Sequence, residues 1–283
     1  MATKRKIPLN RISGVNAGGT ATIDLPTNVR YHSIHLEYRT DTENGSTEEN
    51  MEAELKEFRF NIDGVTQRAV NMAHHFDMNR SKNILPIVGA EFGYADFYFA
   101  EKQRKTKLAR EATAWGMDGV NRFQIEVDID GSATSPRLTG YAWVDDVQEA
   151  PMGIVKLKKE IIQVAATGEL VYKLDTDRGD SYQGLYFFEA TAGDIDRIKL
   201  EWDGVKILDV KASFYKAMMN SSDFAEVAGV KYISLDDNNP EDALPSVKRV
   251  NGVSQKVSEL LSTLTMANAG NIVLYREVVG SPD

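Results

Sequence analysis

The chain has 283 residues, 42% hydrophobic and 27% charged, which is material for one large or two ordinary domains and too apolar for a globally disordered chain. A net charge of −9 argues against general nucleic-acid binding, which draws on a basic surface, and no sequence-specific nucleic-acid binding is expected. With no cysteine there can be no disulfide, zinc-thiolate centre or thiol nucleophile.

Residues 1–10 form a basic N-terminal arm carrying Lys4, Arg5 and Lys6, with no apolar core behind it, so it does not read as a signal peptide. It is either a solvated tail or an arm that touches an acidic surface, such as lipid headgroups or a neighbouring subunit. No run reaches the roughly 18 apolar residues of a membrane span, and the expectation is a soluble protein made inside a cell. Strands are expected at 20–25 and 31–38, joined by a polar turn. Residues 41–57 are an acidic insertion, with Asp41, Glu43, Glu48, Glu49, Glu52, Glu54 and Glu57 against Lys56 alone, and 48–56 fits about two helical turns. Such a cluster is the type that holds a hard cation, so a structural calcium is the one cofactor the residues allow, although EF-hand spacing is absent.

Next comes Phe58-Arg-Phe-Asn-Ile-Asp-Gly-Val65, an alternating strand broken by a hairpin signal, and then a helix expected over 68–82 with Val70, Ala73 and Phe76 on one face. His74 and His75 are adjacent on that helix, and His32 and His35 are expected on opposite faces of their strand. No spacing brings carboxylate or imidazole partners to them, so all four read as structural or surface groups. Residues 93–99 form an aromatic strand, and 101–110 a loop with Lys102, Arg104, Lys105, Lys107 and Arg110. Strand 123–129 then turns through 131–136 into strand 138–144.

The second half repeats this order. Ile198-Lys-Leu-Glu-Trp-Asp-Gly-Val205 matches the first octapeptide, strand 182–189 matches 31–38, and strand 169–174 matches 20–25. A helix is expected at 209–220, and 260–266 turns into 272–278 as 123–129 does into 138–144. A repeat at half the chain length is too long for a solenoid. The expected fold is all-β, two tandem antiparallel β-sandwich (jelly-roll) domains with a few short helices. The boundaries are an N-terminal arm at 1–10, jelly rolls at 11–148 and 156–279, a linker at 149–155 and a C-terminal tail at 280–283.

No nucleophile elbow, phosphate loop, zinc-protease motif or dinucleotide fingerprint is present. Asp128 and Asp130 are paired carboxylates on the outward side of a strand and read as ordinary surface charge. Trp202 shares an apolar face with Ile198 and Leu200, Trp143 faces outwards, and Trp115 is a further stacking candidate. No catalytic, cofactor-binding or metal-ligating residue is assigned, and no enzymatic activity is expected.

The stretch Val15-Asn-Ala-Gly-Gly-Thr-Ala-Thr-Ile-Asp-Leu-Pro26, with Tyr31-His and Leu36-Glu-Tyr38, resembles the opening of the corticovirus-type major capsid proteins. Similar in turn are Phe60-Asn-Ile-Asp-Gly64, Phe123-Gln-Ile-Glu-Val-Asp-Ile129, Ile198-Lys-Leu-Glu-Trp-Asp-Gly204 and Val273-Leu-Tyr-Arg-Glu277. The likeness runs in order from about residue 10 to 279, and departs from the family at the acidic loop 41–57 and the basic loop 101–110. It implies a double jelly-roll coat protein of a tailless icosahedral bacteriophage with an internal lipid membrane. It also implies a homotrimer of pseudo-hexagonal outline, then a capsid lattice, with penton and minor capsid or membrane proteins as partners and a lipid membrane near the inner face. The expected location is the virion capsid, after synthesis in the host cytoplasm.

Two other readings stay open at this point: a tandem carbohydrate-binding adhesin with Tyr141 and Trp143 as its platform, and a glycoside-processing enzyme using Asp128, Asp130 or the acidic loop. The two loops of opposite charge suit contact between neighbouring copies. Reversing the charges of Lys105 and Lys107 is expected to weaken assembly, measured by sedimentation, while leaving the monomer's circular dichroism unchanged.

Overall fold

The computed structural model describes residues 3–40, 47–88, 93–150, 152–175, 179–220, 222–236, 240–250, 253–257 and 259–283. The chain divides into two compact units. Unit 1 is Met1–Arg80, Ile84–Lys158 and Ser281–Asp283; unit 2 is Ser81–Asn83 and Lys159–Gly280.

The strands of unit 1 are β1 (Arg5–Pro8), β2 (Ile12–Ser13), β3 (Thr20–Leu25), β4 (Arg30–Arg39), β5 (Leu55–Ile62), β6 (Val65–Asn71), β7 (Ile87–Val88), β8 (Gly93–Tyr98), β9 (Trp115–Gly116), β10 (Phe123–Ile129), β11 (Arg137–Asp145) and β12 (Ile154–Ile162), the last ending in unit 2. Its helices are α1 (Glu48–Glu54), α2 (Met72–Ser81) and α3 (Lys107–Glu111). One sheet runs β1-β11-β4-β8-β7, with β9 also on β4; the other runs β6-β5-β10-β3-β2, with β12 parallel to β6. The apolar positions of both sheets close on one core. Phe58, Phe60 and Phe123 come from one sheet and Tyr31, Phe97 and Trp115 from the other, all buried. Their rings meet edge-on or tilted, with centroids 4.8 Å apart for Phe58–Phe97 and 5.1 Å for Tyr31–Phe123.

Unit 2 contains β13 (Gly168–Leu174), β14 (Ser181–Phe188), β15 (Ile195–Trp202), β16 (Val205–Lys211), α4 (Ala212–Asn220), β17 (Val230–Ser234), β18 (Leu244–Pro245), β19 (Val247–Val250), β20 (Val253–Lys256), β21 (Leu260–Met266) and β22 (Ile272–Gly280). One sheet has the order β13-β21-β15-β16, and β22-β14-β17 stand together in the other. In unit 1 the equivalent orders are β3-β10-β5-β6 and β11-β4-β8. The two units therefore share one strand order, and the chain is a pair of antiparallel jelly rolls. Residues 81–83 are clipped into unit 2 by a largely buried ion pair, Lys82 Nζ to Glu277 at 2.7 Å, and by Asn83 donating to the Asp223 carbonyl.

The repeated octapeptides form matching hairpins. Asp63 and Gly64 have φ of 48° and 84°, and Asp203 and Gly204 have 51° and 78°. Two successive positive φ values define the turn whose twist suits a two-residue hairpin. Each turn is pinned in the same way: the Asp63 amide donates to the Arg122 carbonyl just before β10, and the Asp203 amide to the Glu259 carbonyl just before β21.

Several expectations need correction. Segments 123–129 and 138–144 are strands but not a hairpin, since β10 pairs with β3 and β5 while β11 pairs with β4 and β1 in the other sheet. The same holds for β21 and β22. Each connecting loop crosses from one sheet to the other, as a sandwich core filled from both sides requires. Residues 65–71 and 205–211 are return strands, so the helices start later, at Met72 and Ala212. Val70 misleads because it is buried on β6 three residues before Ala73, a spacing that also fits a helix. The basic stretch expected as an arm contains β1, which pairs with β11 from Arg5↔Val144 to Pro8↔Tyr141. Residues 281–283, expected as a tail, are held in unit 1: buried Lys156 donates to the Ser281 carbonyl and to Asp283, both at 2.9 Å.

Replacing Gly64 or Gly204 by alanine puts a Cβ into the left-handed region with no neighbour within 4 Å to clash with. Each substitution is expected to cost roughly 1–2 kcal/mol in urea unfolding. Gly131→Ala, in open space without positive φ, is the control expected to cost little.

Candidate functional site

Asp128 and Asp130 sit at the outward edge of β10, as their alternation requires. Arg59 on β5 reaches across the strand pair, donating from Nη2 to Asp128 at 2.8 Å and from Nε to Glu126 at 3.0 Å, and Thr20 on β3 donates to Asp128 at 2.7 Å. The hydrogen bonds from Arg59 hold Asp128 below the usual carboxylate range. Asp130 is lowered to about 2 by hydrogen bonds from Ser132 and Lys56. Two carboxylates kept ionised this way are poor proton donors near neutral pH.

The outer face of the sheet β1-β11-β4-β8 is built differently. The β4–β11 register slips between Trp143 and Val144, so that Ser33 pairs with Trp143 but Tyr31 with Val144. The extra residue is a bulge, which re-aims the side chains around it. Tyr31, Ile34, Leu36 and Tyr38 all stay in the core, while His32, Ser33 and His35 together line one cavity outside it. The expectation that His32 and His35 face oppositely fails for this reason.

Both histidines also have carboxylate partners, which neighbouring strands supply. His32 Nε2 lies 2.8 Å from Asp145, which also takes Arg30 Nη2 at 2.8 Å. Burial lowers the His32 pKa, the Asp145 hydrogen bond opposing it. Burial would raise Asp145, but Arg30 and His32 hold it below its ordinary value. His35 Nδ1 meets Asp96, its partner in the β4–β8 register, and Ser33 Oγ is 2.8 Å from His35 Nε2. With Asp96 ionised, Nδ1 carries the proton and Nε2 accepts from the serine. That is the connectivity of a serine-hydrolase relay, but β4 lies between β11 and β8, whose ladders engage the backbone on both its edges. A carboxylate inside an aromatic run was the sequence signal for Asp96.

Around this face stand Lys6, whose ammonium lies 5.1 Å and 5.2 Å from the rings of Tyr141 and Trp143, and Lys102, 4.2 Å from that of Tyr98. Tyr141 also stacks on His35, with centroids 4.8 Å apart. The segment 101–110, expected as a solvated loop, starts with a buried ion pair, Arg104 to Glu101 at 2.9 Å, and continues into α3, capped by Thr106. Trp115 is core, and Trp202 is half-buried, donating to the Pro245 carbonyl at 3.2 Å. In the acidic segment, α1 is capped by Thr47, buries Met51, and pairs Glu48 with Arg80. No group of three His, Asp or Glu able to hold a metal occurs among the described residues, and residues 41–46 lie outside them.

His75, on α2, is a third buried imidazole. It stacks on Phe97 with centroids 4.2 Å apart, and its Nε2 is 2.8 Å from the Asp96 carbonyl. Burial lowers its pKa to about 4. A histidine depressed on folding contributes stability that is complete above its unfolded pKa, near 6.5, and is lost as pH falls from there towards 4. Between pH 7 and pH 5 this amounts to about 2 kcal/mol. The fall in urea-unfolding free energy over that range is expected to shrink by about that amount in His75→Gln.

Comparison with known proteins bears on the whole chain. Two family models match it: the viral coat protein P2 N-terminal domain over residues 6–145, and the viral coat protein P2 C-terminal domain over residues 154–282. The major capsid protein P2 from bacteriophage PM2 superposes with a TM-score of 0.82 at 19% identity, covering 99% of this chain and 98% of that one. The structure of Sulfolobus turreted icosahedral virus gives 0.67 at 12% identity, covering 99% and 91%, and the PBCV-1 virus capsid 0.60 at 12%, covering 98% and 93%. At these identities the likeness to solved structures speaks for the fold. None of the curated proteins compared matches the chain. The two matched models span both jelly rolls in order, and the chain belongs to the viral coat protein P2 family.

Proposed function

We propose that this coat protein is the major building block of a tailless icosahedral phage shell, assembling first as a homotrimer of pseudo-hexagonal outline. The observation that carries this reading is the strand order shared by the two units. One chain brings two like sandwiches, so three chains bring six, which suits sixfold neighbours in a closed shell. The PM2 relative is itself a major capsid protein, which supports the same role. In this reading the shell encloses an internal membrane, penton protein closes the vertices, and minor capsid or membrane proteins bind within. The chain is made in the host cytoplasm and ends in the virion.

The functional division falls at 149–155, between jelly rolls at 11–148 and 156–279, in keeping with the absence of a described strand between Asp145 and Ile154. No catalysis is assigned: Asp128 is tied to Arg59 and Thr20, and the strand at Ser33 is paired on both edges, with Trp143 and with Tyr98. The adhesin reading is not favoured, because the Tyr141 ring is flanked by His35 and Lys6 and offers no bare platform.

Native mass spectrometry and negative-stain imaging of the purified protein test the proposal. Stable trimers with a hexagonal outline are the expected result. A monodisperse monomer that never assembles would count decisively against it.

A further inference from the structure

The outer face of the β4 bulge holds a cavity of about 510 Å³, within the usual range for a small-molecule site. His32, Ser33 and His35 form its base, and Tyr98, Tyr141 and Trp143 are among its walls. Its remaining charged lining is strongly one-sided: Lys4, Lys6, Lys102, Lys107 and Arg110 against Glu111. Lys4 is taken by Glu111 at 2.8 Å, and Arg110 donates from Nε to the Arg104 carbonyl. Lys6, Lys102 and Lys107 make no ion pair with a carboxylate among the described residues. Lys6 and Lys102 are instead steadied on ring faces, and Lys102 also donates to the Tyr98 hydroxyl at 2.9 Å. A ring quadrupole orients an ammonium without cancelling its charge, so these groups remain able to bind an anion.

The base supplies a second, independent feature. His32 is only 5% exposed and its Nε2 is committed to Asp145, while its Nδ1 has no hydrogen-bond partner. In the tautomer that Asp145 selects, Nδ1 is an acceptor, and a buried acceptor is costly to leave unmade. Ser33 and His35 share this polar base, which suits a hydroxylated ligand.

We propose that this cavity binds a small hydroxylated oxyanion, a sugar phosphate or a sugar acid, with its charged group among Lys6, Lys102 and Lys107 and a hydroxyl against the polar base formed by His32, Ser33 and His35. Binding does not depend on the shell model above, and is measured on the purified full chain by calorimetry and by the fluorescence of Trp143, which lines the cavity. The probes are glucose 6-phosphate, glucuronate, inorganic phosphate and glucose. At least one of the first two is expected to bind, which of them distinguishing phosphate from carboxylate, with glucose and inorganic phosphate at least about tenfold weaker. Raising salt should weaken binding. The double variant Lys6→Met/Lys102→Met should lose about tenfold or more in affinity with an unchanged melting midpoint. Trp143→Phe should abolish the fluorescence response but not the calorimetric one. The proposal is overturned if neither charged sugar binds below ~10 mM, if glucose or inorganic phosphate binds as tightly, or if the double variant binds like the wild type.

Discussion

Each jelly roll depends on a dry seam between two sheets. In unit 1 the seam is aromatic, with Phe58, Phe60 and Phe123 facing Tyr31, Phe97 and Trp115. Burying such rings removes a large apolar area from water at about 25 cal/mol per Å². Arg68 closes one side, its guanidinium 5.0 Å from the Trp115 ring and 5.2 Å from Phe99, with Nε on the Val155 carbonyl. Because side chains alternate along a strand, fixing one face in the seam fixes the other face outside it. The polar chemistry of unit 1 is therefore cross-strand chemistry, with Arg59 tying Asp128 and Glu126 on one outer face, and Asp145 and Asp96 holding His32 and His35 on the other.

The duplication lies deeper than its one repeated octapeptide suggests. The Asp-Gly turns survive in both copies because two consecutive positive φ values leave few alternatives to Asn or Asp followed by Gly. Elsewhere the copies differ freely. The β5 and β10 positions that carry Phe60 and Phe123 in unit 1 carry Leu200 and Leu260 in the matching β15 and β21 of unit 2. What both preserve is strand order, a property of the chain path that many side-chain sets satisfy.

Period-two alternation made most strands legible: β3, β10 and β21 lie where their residues alternate, and β4, β11, β14 and β22 within a residue or two. Pairing was not legible, because adjacency in sequence favours hairpins while a sandwich sends consecutive strands to opposite sheets. That is why β10 and β11 read as partners. The short edge strand β1 was hidden by its lysine and arginine, residues that edge strands tolerate on their solvent side. The cavity on β4 was the least readable feature. It requires a one-residue bulge, which no local pattern announces, and carboxylates brought in from β8 and β11, far away in sequence.

The anchoring of residues 281–283 has a consequence for the order of biosynthesis. Lys156 is almost wholly enclosed, and its ammonium meets the Ser281 carbonyl and Asp283. Those partners leave the ribosome only after all of unit 2 has been made. The first jelly roll to be translated thus receives its contacts to residues 281–283 last. A chain cut short before residue 281 would lack both of these contacts in its amino-terminal half.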